Sequence, residues 1–317
     1  MQAHDEIEEF AGQRILAMDP RSEKPSRVCP ACSSSKARKV GTKNELEIVS
    51  CMQCRSLYCP YSPWYNSEMY YGDYYTHHGI DEPPLVARRL TEITADFSRY
   101  RQTNRLLDVG CGAGSLLQAA RDNGWEAQGI DVSASAVSHS RNLGFEVFHG
   151  ELNEAQLAKG QFDVITAVEI LEHLFDPATV VNEIHRLLRP GGLFWLTTPN
   201  CRSLAARLMG LGWRVVSPPE HLQLFSVEGL RTLLLRAGFT EVELKTSGGN
   251  PIDLCRALKK REKEIQTPQE NFDSVARNYR LNEAMTKSNT RRALKNAVNR
   301  LLNLSRLGDS LKAFAIR

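Results

Sequence analysis

The stretch Arg105-Leu-Leu-Asp-Val-Gly-Cys-Gly-Ala-Gly-Ser-Leu-Leu117 constrains this chain more than any other. A short apolar run ends in Asp108 and Val109. Three glycines follow at alternate positions, Gly110, Gly112 and Gly114, and Leu116, Leu117 and Ala120 then recur with helical spacing. That is the pattern of a strand, a glycine-rich turn and a helix. Glycine admits dihedrals that other residues avoid and lets a ligand lie against bare backbone. The dinucleotide fingerprint G-x-G-x-x-G would place its third glycine at position 115, which is Ser115 here. The next apolar run closes on an acid, Gly129-Ile130-Asp131, near the ~20-residue offset at which a carboxylate holds ribose hydroxyls.

From residue 105 onward, strand-like and helix-like runs alternate. Strands are expected at 105–109, 126–130, 145–148, 162–168 and 192–198, with helices near 114–123, 134–142, 152–158 and 177–188. Such alternation predicts an α/β fold, a parallel sheet with helices on both faces. Arg189-Pro-Gly-Gly192 reads as a helix stop. Leu85 to Tyr100 reads as an amphipathic helix leading into the glycine-rich strand.

The Asp108-Val-Gly-Cys-Gly-Ala-Gly114 loop with the later Asp131 resembles motifs I and II of class I S-adenosylmethionine (SAM) methyltransferases. Phe162-Asp-Val-Ile-Thr-Ala-Val168 with Glu169-Ile-Leu-Glu-His173 resembles their fourth strand and loop. Leu188-Arg-Pro-Gly-Gly192 and Thr197-Thr-Pro-Asn200 match the approach to and exit from their fifth strand. Pro219-Glu-His-Leu-Gln-Leu-Phe-Ser226, before a helix to Phe239, is similar to a subgroup active on sugars, natural products and related small molecules. The resemblance covers roughly residues 60 to 246. An NAD-type Rossmann domain is the competing reading of the loop.

The resemblance implies a Rossmann-like, seven-stranded methyltransferase sheet with SAM as cofactor. It places the backbone of Gly110, Cys111, Gly112 and Gly114 against the cofactor's amino-acid end and ribose. Asp108 would order that loop, and Asp131 would accept bonds from the ribose hydroxyls. Val132 would line the adenine, with Glu151 and Leu152 at its edge. Val168 and Glu169 would lie under the methionine part.

Cys29-Pro-Ala-Cys32 and Cys51-Met-Gln-Cys54 are separated by eighteen residues. This spacing lies within the range for a four-thiolate zinc site, each pair aiming two sulfurs at one ion. Glu45 to Cys51 alternates like a strand, as in a zinc ribbon. Cys29, Cys32, Cys51 and Cys54 are thus the expected ligands of a structural Zn2+; four ordinary buried cysteines are the plainer alternative. Tyr61, Trp64, Tyr65, Tyr70, Tyr71, Tyr74 and Tyr75, then His77 and His78, follow. They serve either as packing between modules or as a lid over the sulfonium or acceptor.

Glu241 to Lys245 alternates like a sixth strand. A basic helical stretch comes next, and Ser310 to Ile316 is expected as the seventh strand after a turn at Gly308-Asp309. The division is therefore a polar leader at 1–26, a zinc-ribbon-like module at 27–60, an aromatic segment and helix at 61–104, a SAM-binding domain at 105–249, a helical insertion at 250–309 and a final strand at 310–317. The insertion's last helix carries Leu294, Val298, Leu301 and Leu302 on one face, with Arg291, Arg292, Lys295 and Arg300 mostly elsewhere. It docks on its own protein, on a second copy, or on a membrane surface.

The acceptor needs a proton acceptor, and histidine is the usual one near neutral pH. His221, His173, His77 and His78 are the candidates. In related sugar C-methyltransferases a tyrosine stands three residues before the histidine that His221 matches. Pro218 stands there in this chain, so a hydroxyl acceptor is expected in place of carbon.

The composition is that of an ordinary globular protein, with 42% hydrophobic and 24% charged residues. A net charge of +3 gives no ground for a nucleic-acid partner. No apolar run approaches the ~20 residues of a membrane span. The acidic start, Met1-Gln-Ala-His-Asp-Glu, does not read as a secretory signal, so a cytoplasmic setting with reduced thiols is expected. The sequence thus points to a zinc-bearing SAM-dependent methyltransferase acting on a small molecule, with a hydroxyl of a sugar or glycan precursor favoured. One rival is an RNA or protein methyltransferase gripping polymer with the ribbon, where Arg27, Lys36, Arg38, Lys39 and Lys43 supply charge. Another is a non-catalytic SAM-fold scaffold.

Overall fold

The computed structural model describes residues 27–61, 84–249 and 289–317. The leader, the aromatics from Trp64 to Tyr75, His77, His78 and residues 250–288 of the insertion lie outside the described residues.

The amino-terminal part supplies β1 (Ala37–Lys43), β2 (Leu46–Cys51) and β3 (Leu57–Tyr58). Helix α1 (Pro84–Asp96) leads into β4 (Arg105–Val109) and α2 (Ser115–Asp122). Then come β5 (Glu126–Asp131), α3 (Ala134–Asn142), β6 (Glu146–His149), β7 (Phe162–Val168), α4 (Pro177–Leu187), β8 (Leu188–Pro199) and α5 (Leu204–Met209). The chain closes with β9 (Gln223–Leu224), α6 (Val227–Arg236), β10 (Glu241–Ser247), α7 (Asn289–Ser305) and β11 (Ser310–Ile316).

The local causes are visible in the caps. Ser133 opens α3 by accepting the Ala136 amide, and Asp176 opens α4 by accepting those of Ala178 and Thr179. Pro177 occupies the first turn of α4, where its missing N–H costs nothing. Strand β7 is apolar and buried along most of its length, as a strand covered on both faces must be.

Seven strands form one sheet in the order β10-β11-β8-β7-β4-β5-β6. β6, β5, β4, β7 and β8 run parallel, and β11 is antiparallel to both β8 and β10. The chain winds outward from β4 through β5 and β6, then returns to β7 on the other side of β4. That reversal opens a crevice at the carboxyl ends of β4 and β7, where doubly wound sheets bind ligands. A second sheet, β1-β2-β3-β9, takes its last strand from a segment 165 residues beyond the third, since Tyr58 pairs with Gln223.

Two local expectations are corrected. The run 152–158 forms one 3-10 turn at Leu152–Glu154, where reciprocal capping by Glu151 and Glu154 satisfies the backbone within three residues. Arg189-Pro-Gly-Gly192 lies inside β8, because the helix has already ended at Leu187. Helix α7 docks on its own protein along β10, where the Leu302 carbonyl accepts the Thr246 hydroxyl at 2.8 Å. Asn303 and Asn299 accept the amides of Thr246 and Gly248, and Val298, Leu301 and Leu304 stay exposed. No helix among the described residues is long and apolar enough to cross a membrane.

A buried acid fixes the entry to the sheet. Asp163 Oδ2 accepts the amides of Gln102, Thr103 and Asn104 at 2.7, 2.7 and 2.8 Å, and Oδ1 accepts Arg189 Nε at 2.6 Å. Burial alone would raise the Asp163 pKa. The three amides and the guanidinium outweigh it and hold the carboxyl below its usual range. Its stabilising contribution is therefore present above the unfolded pKa of about 3.9 and is lost as pH falls through the lower, folded value. Removing one partner of a buried pair strands the other, so Asp163→Asn is expected to cost about 3–5 kcal/mol at pH 7. Urea unfolding checks this; the difference from wild type should shrink below about pH 4. A loss under 0.5 kcal/mol at pH 7 contradicts it.

Candidate active site

The loop between β4 and α2 is held from two sides. Asp131, at the end of β5, accepts the Gly112 amide on Oδ2 and the Ser133 amide on Oδ1, both at 2.8 Å. The Gly110 and Cys111 amides reach the Ile130 carbonyl at 2.8 and 3.1 Å. From α3, Ser140 donates its hydroxyl to the Gly112 carbonyl at 2.9 Å. The loop is thus fastened to the β5–α3 unit before any ligand arrives.

Gly110, Gly112 and Gly114 all have left-handed backbones, with φ of 73°, 52° and 86°. The need for glycine is intramolecular at two of them. A Cβ at Gly110 would fall 2.1 Å from Ile170 Cδ1, and one at Gly114 would fall 2.9 Å from Ser140 Oγ. The side chain of Cys111 points inward and packs beneath Gly129. Only backbone at position 111 is on offer to a ligand.

Asp108 does not order the loop directly. It is buried in β4 and accepts the Thr166 hydroxyl from β7 at 2.6 Å. Burial pushes its pKa up, the Thr166 bond opposes, and the Asp131 charge adds to the rise, which ends at about 7. Burial likewise raises Asp131, against the amides of Ser133, Gly112 and Val132 and the nearby His149.

Val132 is half-buried, and its carbonyl lies 3.1 Å from His149 Nε2. The Glu151 carboxylate caps its own 3-10 turn, and Leu152 is buried in the main core. Val168 is half-buried at the end of β7. Glu169 is exposed, with a left-handed φ of 53° and its amide on the Thr197 carbonyl at 2.9 Å. A non-glycine residue in that region carries backbone strain, and such residues concentrate at functional turns.

Beyond Glu169 the structure gathers three more side chains. Glu172 is fully buried; Oε2 accepts the Thr198 hydroxyl at 2.9 Å, and Oε1 has no partner among the described residues. Burial, then the nearby Glu169 charge, pushes its pKa well above the carboxylate range. His173 Nδ1 lies 2.9 Å from the Glu220 carbonyl, and burial with the adjacent His221 lowers its pKa to about 3. His173 is neutral at neutral pH. His221 Nδ1 lies 2.6 Å from the Val215 carbonyl, and the two imidazoles stand 4.7 Å apart. A carbonyl only accepts, so Nδ1 of His221 is the donor in this contact. The donor atoms of Glu172, His173 and His221 lie within 4.8 Å of one another, close enough to hold a metal ion. The sequence marks both histidines but not this convergence with Glu172.

The four cysteines also converge. Their sulfurs lie within 4.8 Å of one another, with Cys29–Cys54 and Cys32–Cys51 at 3.5 Å. That is too long for a disulfide, and all four thiols are free. It fits the edge of a tetrahedron with ~2.3 Å zinc–sulfur arms, about 3.8 Å.

A family model described as "Methyltransferase domain" matches residues 82–244. The chain belongs to the class I SAM-dependent methyltransferase family. The four-cysteine module and β11 lie outside the matched residues. Among curated relatives, a ubiquinone biosynthesis O-methyltransferase of Pseudomonas aeruginosa is 39% identical over 103 residues, 30% of this chain and 44% of that protein. One of the same description from Thiobacillus denitrificans is 31% identical over 162 residues, 47% of this chain and 69% of that protein. The chain spans about half the length of most of the curated relatives it matches. Among solved structures, a SAM-dependent methyltransferase from Archaeoglobus fulgidus aligns with a TM-score of 0.49 at 17% identity, covering 80% of this chain and all of that one. The plantazolicin methyltransferase BamL, solved with SAH, aligns at 0.48 and 19%, covering 79% and 95%.

In this family member the packing of Ile170 onto Gly110 ties the loop after β7 to the glycine turn. Gly110→Ala is expected to cost about 2–5 kcal/mol, from the left-handed backbone and the overlap together. Adding Ile170→Val should recover roughly 1 kcal/mol in a double-mutant cycle. Additive losses in thermal unfolding contradict the contact.

Proposed function

We propose that this chain transfers a methyl group from SAM to a hydroxyl of a small molecule. The observation that carries the reading is His221, whose Nδ1 rests on the Val215 carbonyl and whose ring stands 4.7 Å from that of His173. When bound, SAM supplies an electrophilic methyl on a sulfonium: the S–CH3 bond breaks as the O–CH3 bond forms, and S-adenosylhomocysteine leaves. The loop from Gly110 to Gly114 positions that donor, and Asp131 uses lone pairs not engaged by Gly112 and Ser133 to hold its ribose hydroxyls. His221 Nε2 takes the acceptor's proton, and His173, held neutral beside it, adds no competing positive charge. The rest of catalysis is placement of two reactants in line.

The names of the curated relatives favour oxygen as the acceptor atom. A sugar or glycan hydroxyl is the finer form of the reading, supported by the Pro219–Ser226 segment. The four cysteines fit a structural zinc, which would fold the amino-terminal module and take no part in chemistry.

The partnerless Oε1 of Glu172 favours a second reading, in which a divalent cation sits on Glu172, His173 and His221 and holds the acceptor oxygen. Incubation of the protein and labelled SAM with a pool of sugar nucleotides, glycans and phenols, read by mass spectrometry, tests the activity. On an acceptor found this way, His221→Ala should lower turnover roughly 10²–10⁴-fold with SAM affinity unchanged. Wild-type turnover contradicts its role. His173→Ala losing as much as His221→Ala favours the cation.

A further inference from the structure

The acceptor side of the site is built on the four-cysteine module. Strand β3 pairs with β9, so Leu57 and Tyr58 hydrogen-bond directly to the strand that follows His221 by two residues. The Cys59 amide extends the pairing to the Leu222 carbonyl at 2.9 Å. On its other side the same segment meets the loop after β7: the Leu222 amide reaches the Glu172 carbonyl at 2.9 Å, and Gln223 Nε2 reaches those of Leu171 and Leu174. The segment carrying His221 is therefore clamped between the ribbon and the loop carrying His173.

Arg27 closes the clamp. Its Nε donates to the Cys59 carbonyl at 2.8 Å, one terminal nitrogen to Leu222 at 2.8 Å and the other to Phe175 at 2.6 Å. Its guanidinium also lies 5.0 Å from the Phe175 ring centroid. One planar fork thus joins three segments: the ribbon, the His221 segment and the end of the His173 loop. A lysine point charge cannot reproduce three fixed directions. Further contacts back this up. Asn44 Nδ2 donates to the Pro218 carbonyl at 2.7 Å, and Ser226 caps α6 while donating to the Cys54 carbonyl. The glycine loop and Asp131 make none of these bonds; they are fastened to β5 and α3.

We propose that the four-cysteine module is the scaffold of the acceptor half of the site, with Arg27 as the positioning residue that sets the His173–His221 pair, and that it does not govern the cofactor half. The proposal rests on the reading of that pair as the acceptor-side chemistry. It makes the ribbon a wall of the enzyme's own pocket, and not an appendage for gripping a polymer.

The test uses the full chain and needs no acceptor. Wild type, Arg27→Gln, Arg27→Lys and Cys51→Ser are compared by zinc content, S-adenosylhomocysteine affinity, hydrogen exchange, and the rate of His221 modification by diethyl pyrocarbonate at one fixed pH. Arg27→Gln should keep one zinc per chain and an S-adenosylhomocysteine Kd within about twofold of wild type, while amides of 171–175 and 221–224 exchange at least about tenfold faster. The rate of His221 modification should rise, and Arg27→Lys should restore the wild-type rate only in part. Cys51→Ser should lose the zinc and show the same changes. Since Cys51→Ser can unfold outright, Arg27→Gln decides the matter. Unchanged exchange at 221–224 overturns the proposal, as does a cofactor affinity that falls in step with it. A failed base role, seen as full turnover by His221→Ala, would leave these exchange results standing, so the two failures are distinguishable.

Discussion

The carboxylate of Asp131 reaches back from the end of β5 to the amide of Gly112. On this contact the arrangement of the cofactor crevice depends. A loop of three left-handed glycines has no preferred shape of its own, and a loose loop would lose entropy on binding. Asp131, Ile130 and Ser140 fix it in advance, and Ile170 covers it from the neighbouring loop. On the proposed reading, the same carboxylate that shapes the cradle also takes the ribose, so the donor meets a preformed site.

The acceptor side is organised by different means. Its histidines sit on irregular segments, which need outside support to hold a geometry. That support comes from the small sheet, where β9 completes β1, β2 and β3. A two-residue strand is weak by itself; Arg27, Asn44 and Ser226 add directed bonds around it. Beneath it, the four cysteines pack with Phe225, Val227 and Leu230 in the main core. The hydrogen bonds that fasten the cofactor half and the acceptor half thus come from different segments, and the two halves share the main core and meet at the loop from Glu169 to Phe175.

The parallel part of the sheet was legible because its central strands, β4, β7 and β8, carry apolar runs and strand-like and helix-like stretches alternate along the chain. Even β11 was legible, since the family resemblance implies a closing seventh strand; within it Leu311, Ala313 and Ala315 are buried and alternate with half-buried residues. The convergence of the cysteines followed from their spacing. What the sequence hid was side-chain direction and long-range pairing. Nothing local shows that Ile170 covers Gly110, that Thr166 takes up Asp108, or that Gln223 pairs with Tyr58 across 165 residues. Asp163 reads as an ordinary strand residue until three amides and Arg189 are seen around it. The apolar stripe of α7 gave no sign of its polar contacts: the Asn303 side chain and the Leu302 carbonyl bond to Thr246 of β10, and Asn299 bonds to Gly248.

The central claim is that one carboxylate both shapes the glycine cradle and grips the donor. Calorimetric titration of S-adenosylhomocysteine into wild type and Asp131→Ala tests it most directly. Binding should be weaker by about 1.5–3 kcal/mol in the variant, roughly 10- to 160-fold in Kd. Equal affinity in the two proteins would contradict it.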